Sequence, residues 1–141
     1  MIYKLNLLFV TFFGLGKIKS IPGTITSFAT IILLFFFFHV FIISPNIIVS
    51  ILIIIFIYSF FAVNYYIKDK QNKDPREVVI DEVIGQSIPI CLYEFSHSTT
   101  KEFSEAIFFY LVIFFLFRFF DIFKPFPVNY FDKNFKNSFG V

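Results

Sequence analysis

The stretch from Ile25 to Ile43, ITSFATIILLFFFFHVFII, holds 19 residues without a charge, and His39 is its only strongly polar member apart from hydroxyls. A helix of that length crosses the hydrocarbon core of a bilayer. Ser44-Pro45-Asn46 reads as a tight turn, and Ile47 to Ile67 is a second uncharged run, of 21 residues. Two spans so closely joined form an antiparallel helical hairpin, and that hairpin decides the fold class. Working outward, Met1 to Phe13 carries one Lys and an apolar stretch broken by Asn6, with no small-x-small cleavage site after it. It reads as an interfacial or short packed helix rather than a signal peptide. Gly14 to Thr24 reads as a loop punctuated by Gly and Pro.

Lys68 to Glu77 is a charged loop, and Val78 to Tyr93 is amphipathic. On a helical wheel Ile80, Val83, Ile84, Ile88 and Cys91 fall on one side, with Asp81, Glu82, Gly85, Gln86 and Pro89 on the other. Pro89 predicts a kink or an end. Glu94 to Ser104 is polar, Phe103 to Phe123 holds the third long apolar run, and Pro125 to Val141 is a tail. The expected architecture is all-α: a polytopic membrane bundle of about three spans plus an amphipathic helix carrying the Asp81-Glu82 pair. A chain of 141 residues makes one domain, 1–141.

Composition narrows the function classes. The chain is 57% apolar and 23% aromatic, with a mean hydropathy of +0.80, far from soluble usage. Net charge is +2 and no basic patch is interleaved with aromatics, so nucleic acid is not an expected partner. Cys91 is the single cysteine, which excludes an intramolecular disulfide and a thiolate metal cluster. With the N-terminus inside and the amphipathic helix crossing, eleven of the twelve Lys and Arg lie at the inner face. That asymmetry orients the bundle.

In this topology Lys17, Gly23, Thr24, Asp74, Asp81, Glu82, Arg118, Asp121, Lys124 and Asp132 all come to the cytoplasmic boundary. Arg118, Asp121 and Lys124 are spaced three apart, so they line one side of a helix. Arg118 taken alone reads as an ordinary snorkelling arginine. A lone Asp-Glu pair is usually a solvated helix start, and Pro22-Gly23-Thr24 alone is a turn with Thr24 as N-cap. Together they point to chemistry, because ionisable groups at the end of a membrane segment are costly to keep there. Carboxylates without thiolate or imidazole suit a hard cation, Mg2+ above all. The positive N-terminus of the first span, with Lys17, Lys124 and Arg118, suits a phosphate-bearing substrate. His39 and His97 lie toward the outer side and read as packing or interfacial residues.

Known phosphatase chemistries narrow the mechanism. A Cys-based phosphate loop needs Arg six residues after the Cys, and position 97 is His. Metal-assisted hydrolysis fits the residues, and an Asp nucleophile forming an aspartyl-phosphate is the other route open to them.

Three motifs carry a family resemblance along essentially the whole chain. They are Gly14-Leu15-Gly16-Lys17-Ile18 with Pro22-Gly23-Thr24 and Ser27; Asp74-Pro75 with Val79-Ile80-Asp81-Glu82-Val83-Ile84-Gly85-Gln86; and Phe117-Arg118-Phe119-Phe120-Asp121-Ile122-Phe123-Lys124-Pro125-Phe126-Pro127 with Asp132. In these the chain resembles the phosphatidylglycerophosphatase A family, bacterial membrane enzymes that remove the terminal phosphate of phosphatidylglycerol phosphate. The resemblance implies a multi-pass protein of the bacterial inner membrane with its site on the cytoplasmic side. Its substrate would be that lipid, its cofactor Mg2+, and its setting phospholipid biosynthesis. By the resemblance Asp81, Glu82 and Asp121 are the metal and catalytic positions. Lys124 joins the catalytic set, and Lys17, Gly23, Thr24 and Arg118 hold phosphate. Thr26 stands where family members usually have Gly, and Lys19 and Ile21 replace Pro and Ala. Family members continue past a turn like Asn137-Ser138-Phe139-Gly140 into a last helix with an Asp-Asp pair, so a C-terminally shortened member is expected.

Two other classes compete. A non-catalytic membrane scaffold would use the charges as topology anchors, which need cations but not Asp81, Glu82 and Asp121. A small transporter wants charges at mid-membrane or broken helices, and Pro89 alone hints at one.

Overall fold

The protein, seen in a computed structural model, is described over residues 2–68, 75–96 and 103–123, and these are helical with no strand among them. Helix α1 is Ile2–Val10, and a 3-10 turn at Leu15–Lys17 leads to α2, Pro22–Phe35. Helix α2 runs on through a π-helical turn, Phe36–Val40, and then come α3 (Pro45–Ile67), α4 (Ile80–Ser96) and α5 (Phe103–Phe123). Three segments are long and apolar enough to cross a membrane: Pro22–Val40, α3 and α5. Only 17% of the most apolar window of α3 is buried within the bundle, and the same holds for α5. Surfaces so apolar and so little covered belong in lipid, and the chain is a membrane protein.

Proline decides where the spans begin. The first starts at Pro22 rather than Ile25, because a fixed φ and a missing N–H suit the first helical position. Pro22-Gly23-Thr24 is therefore the first turn of α2 and not a loop. The N-cap is Ile21, held at φ 45°, so the expectation that Thr24 caps the helix is corrected. Pro45 opens α3 in the same way, after an extended Ser44, and the first span ends at Val40, so the joint is residues 41–44 rather than the expected 44–46.

Helix α4 departs most from expectation. It passes through Pro89 without ending and continues to Ser96. Its burial also runs across its hydropathy: Gln86 and Ser87 are fully buried and Glu94 nearly so, whereas Ile88 and Leu92 are exposed. In a bilayer the outside is the oily solvent, so the polar residues of a helix turn toward the bundle.

Contacts fix the helix directions. Near the start of α4, Glu82 meets Ser27, near the start of α2, and Arg118, near the end of α5. Near its other end Glu94 meets His39 and Tyr110. Helices α2 and α4 thus run parallel, with α5 antiparallel to both. Helix α3 is antiparallel to α4, since its last residue Ile67 packs in the cluster of Ile80 and its Ile48 in that of Ile90. One end of the bundle collects the starts of α2 and α4 and the finishes of α3 and α5.

Candidate active site

Glu82 is the hub of that end. Arg118 Nη1 donates to Glu82 Oε2 at 2.6 Å and also lies 3.1 Å from Asp121 Oδ2, one helical turn further along α5. Ser27 donates its hydroxyl to the same Glu82 oxygen at 3.2 Å. The Arg118 and Glu82 side chains are each 13% exposed, and Asp121 is 34% exposed. Arg118 therefore turns into the bundle and does not snorkel, since a carboxylate on α4 offers it a charged partner there.

The first turn of α2 closes the site from the other side. A Cβ on Gly23 would stand 2.3 Å from Glu82 Oε1 and 3.5 Å from Arg118 Nη1. The missing Cβ leaves the Glu82 carboxylate room to lie against this turn. The first helical bond of α2 runs from the Ile25 N–H to the Ile21 carbonyl, at 3.2 Å. The Gly23 and Thr24 N–H groups are thus left without intrahelical acceptors, at the positive end of the helix dipole. Lys17 is exposed on the 3-10 turn. Gly16 beside it lies against the Glu77 backbone, which holds that turn at the same end of the bundle.

Asp81 is exposed at the start of α4. It, Glu82 and Asp121 lie near enough to repel one another, with Arg118 as the compensating charge on Glu82. Among the described residues no three acidic, imidazole or thiolate groups stand together closely enough to hold a metal ion. The structure thus brings Gly23, Thr24, Asp81, Glu82, Arg118 and Asp121 to one place, with Lys17 nearby. Lys124, Asp74 and Asp132 lie outside the described residues.

Several residues escaped the sequence reading as site members. Ser27 is one; its spacing of four from Gly23 puts it on the same face of α2 and was the available signal. Gln86 and Thr26 are others: both are fully buried, and Gln86 Oε1 and Nε2 and Thr26 Oγ1 have no hydrogen-bond partner among the described residues. At the far end Tyr110 donates to Glu94 Oε1 at 3.1 Å, and His39 Nε2 lies 4.0 Å from the same oxygen. His39 stacks on Phe35 with ring centres 4.5 Å apart, which is the packing role expected of it.

Four long helices with acids, a guanidinium and a free helix N-terminus gathered at one end define a polytopic membrane protein with a mixed-charge site. The chain belongs to the phosphatidylglycerophosphatase A family: residues 8–141 match the family model described as Phosphatidylglycerophosphatase A. It is similar to the Phosphatidylglycerophosphatase A of Haemophilus influenzae, at 33% identity over 138 residues, 92% of this chain and 72% of that protein. No solved structure matches it.

Proposed function

We propose that the chain is a phosphatidylglycerophosphatase, releasing inorganic phosphate from phosphatidylglycerol phosphate to leave phosphatidylglycerol, in phospholipid biosynthesis. The observation that carries this reading is the convergence of Glu82, Arg118 and Asp121 from two helices on the Gly23 turn of a third. Family membership and the name of the similar protein support a phosphatase acting on that lipid.

The phosphomonoester would lie against the Gly23 and Thr24 N–H groups, with Arg118, Lys17 and Lys124 drawing its oxygens. Water adds to phosphorus, the bond from phosphorus to the terminal glycerol oxygen breaks, and that oxygen leaves as an alcohol. A carboxylate of the cluster takes the proton that the water gives up and returns it to the leaving glycerol oxygen.

Magnesium fits the donors, which are all oxygen; Glu82 Oε2 and Asp121 Oδ2 already converge on one positive centre, the Arg118 nitrogen. For Asp81, Glu82 and Asp121 to hold the ion, the three carboxylates would have to draw closer than they stand here; bound there, it would withdraw charge from phosphoryl oxygens and make water a better nucleophile. The excess of Lys and Arg at this end supports the cytoplasmic face of the bacterial inner membrane. An anchoring scaffold is disfavoured by the inward turn of Arg118, since an anchor would reach for headgroups.

The test is phosphate release from phosphatidylglycerol phosphate in detergent micelles, with Mg2+ and with EDTA. Asp81→Asn, Glu82→Gln and Asp121→Asn should each abolish it while the protein still inserts. Full activity of all three in EDTA would refute the reading.

A further inference from the structure

Beyond the charged end, α2 and α5 form a groove of about 240 Å3 between them. Its floor is Ile31 and Tyr110, both buried, and its rims are Phe28 and Ile32 on α2 with Ile107 and Leu111 on α5, all exposed. Tyr110 lends the floor only its ring, since its hydroxyl donates to Glu94 on α4. At the far end Phe35 meets Phe103 and Tyr110 edge-on, with ring centres 4.9 and 5.6 Å apart. Both helices are long and apolar enough to cross a membrane, so the groove opens onto hydrocarbon.

Helical register ties this groove to the charged site. On α2, Thr24, Phe28, Ile31 and Phe35 recur at spacings of four, three and four, and so share one face. On α5, Arg118, Phe114, Leu111 and Ile107 do the same. The two helices are antiparallel, so both faces run from the phosphate end into the bilayer. At 1.5 Å per residue, Phe28 lies about 6 Å along α2 from Thr24, and Phe35 about 16 Å. In phosphatidylglycerol phosphate a glycerol, a phosphodiester and a second glycerol separate the terminal phosphate from the acyl chains. That is up to about 12 Å at the reach of an extended chain. A phosphate held at Thr24 and Arg118 thus puts the head of an acyl chain within the length of the groove. A second groove of about 350 Å3, between α3 and α4 and lined by Ile53, Ile84 and Leu92, has no such tie. Its Ile84 is turned about 200° around α4 from Glu82.

We propose that the α2–α5 groove is the acyl-chain subsite of the lipid substrate. One chain lies along Ile31 and Tyr110 while the phosphomonoester lies at Thr24 and Arg118. The inference rests on the phosphatase reading and adds to it the place of the lipid's tail.

The chain has no tryptophan, so one introduced indole reports on one groove. Ile107→Trp marks the α2–α5 groove and Ile53→Trp the other. Each variant is placed in phosphatidylcholine vesicles with a lipid whose acyl chains carry bromine, which quenches indole fluorescence, and whose terminal phosphate is a non-hydrolysable phosphonate. Quenching of Ile107→Trp should reach its midpoint at about tenfold less of this lipid than of brominated phosphatidylglycerol, which lacks the terminal group. Tenfold is the worth of one charge-assisted hydrogen bond. Adding Arg118→Gln should remove the preference, and Ile53→Trp should be quenched by both lipids alike. Equal quenching of Ile107→Trp by the two lipids would make the groove a seat for bulk lipid and overturns the proposal. So does the same preference at Ile53→Trp, or no quenching at Ile107→Trp by either lipid, which would mean that protein covers the groove. Where Ile107→Trp does not insert, Leu111→Trp gives the same reading; where Arg118→Gln does not, the headgroup preference decides alone. Selective quenching in a chain that frees no phosphate from the lipid would sink the phosphatase reading and leave the subsite standing. Phosphate release without selective quenching does the reverse.

Discussion

The Ser27 hydroxyl reaches Glu82 Oε2 across 3.2 Å although 55 residues separate the two in sequence. That contact sets the register of α2 on α4. It puts Gly23, one turn earlier on α2, beside the other oxygen of the same carboxylate. It also faces the carboxylate toward Arg118. Small residues four apart let two helix backbones come close within a membrane. Ser27→Ala should keep the fold, since Arg118 still holds Glu82. Losing one hydrogen bond to a charged group, about 1.5–3 kcal/mol where fully expressed, should lower kcat/KM about tenfold or more, with the change in phosphate-release kinetics as the check.

Gly23 and Gly16 should separate function from stability. At Gly23 a methyl group would collide with the Glu82 carboxylate, the end of a side chain that can shift. Gly23→Ala should therefore yield a folded protein with activity reduced about a hundredfold, on the scale of a misplaced catalytic group. At Gly16 the methyl would meet the backbone carbonyl of Glu77, which cannot step aside cheaply. Gly16→Ala should lower the thermal midpoint in detergent. Equal effects of the two on stability would contradict this division.

Replacing Gln86 should raise stability. Its carboxamide is fully buried with neither polar atom paired among the described residues. Gln86→Leu keeps a similar volume and removes the unpaired groups, for a gain of about 1–3 kcal/mol. A higher thermal midpoint is the expected result. A lower one would show that the carboxamide has a structural partner, such as a buried water.

The far end of the bundle offers the converse case. Tyr110→Phe deletes one donor to Glu94, which is 7% exposed. The cost should be about 1–2 kcal/mol of stability. Because Glu94 lies twelve residues along α4 from Glu82, kcat/KM should stay within about twofold, as expected of sites far apart without shared partners. A large loss of activity would mean that the two ends communicate.

The spans were legible because an uncharged run of sufficient length has few alternatives in a chain this apolar. Their starts were less so: Pro22 and Pro45 look like breakers in sequence, yet proline at the first helical position opens a helix. The acids and Arg118 were legible as a group by their place at segment ends. The inward turn of Arg118 was not, since snorkelling and pairing with Glu82 look alike until α4 is set beside α5. The burial of α4 was misjudged most. Its wheel separates Ile88 from Gln86 correctly, but the buried side mixes both sets: Ile80, Val83 and Cys91 are buried along with Gln86 and Ser87, while Asp81 is exposed. Ser27 was quoted within the first motif but given no role, because a single hydroxyl in an apolar run does not say that it meets Glu82 until α2 is set beside α4.

The polar residues of α4 make it a poor independent guest of the bilayer. Pro22–Val40, α3 and α5 can each be handed to lipid on their own apolarity. Helix α4 brings Asp81, Glu82, Gln86 and Glu94 with it and needs a prepared berth. The hairpin of α2 and α3, which precedes α4 in the chain, supplies that berth by packing against it.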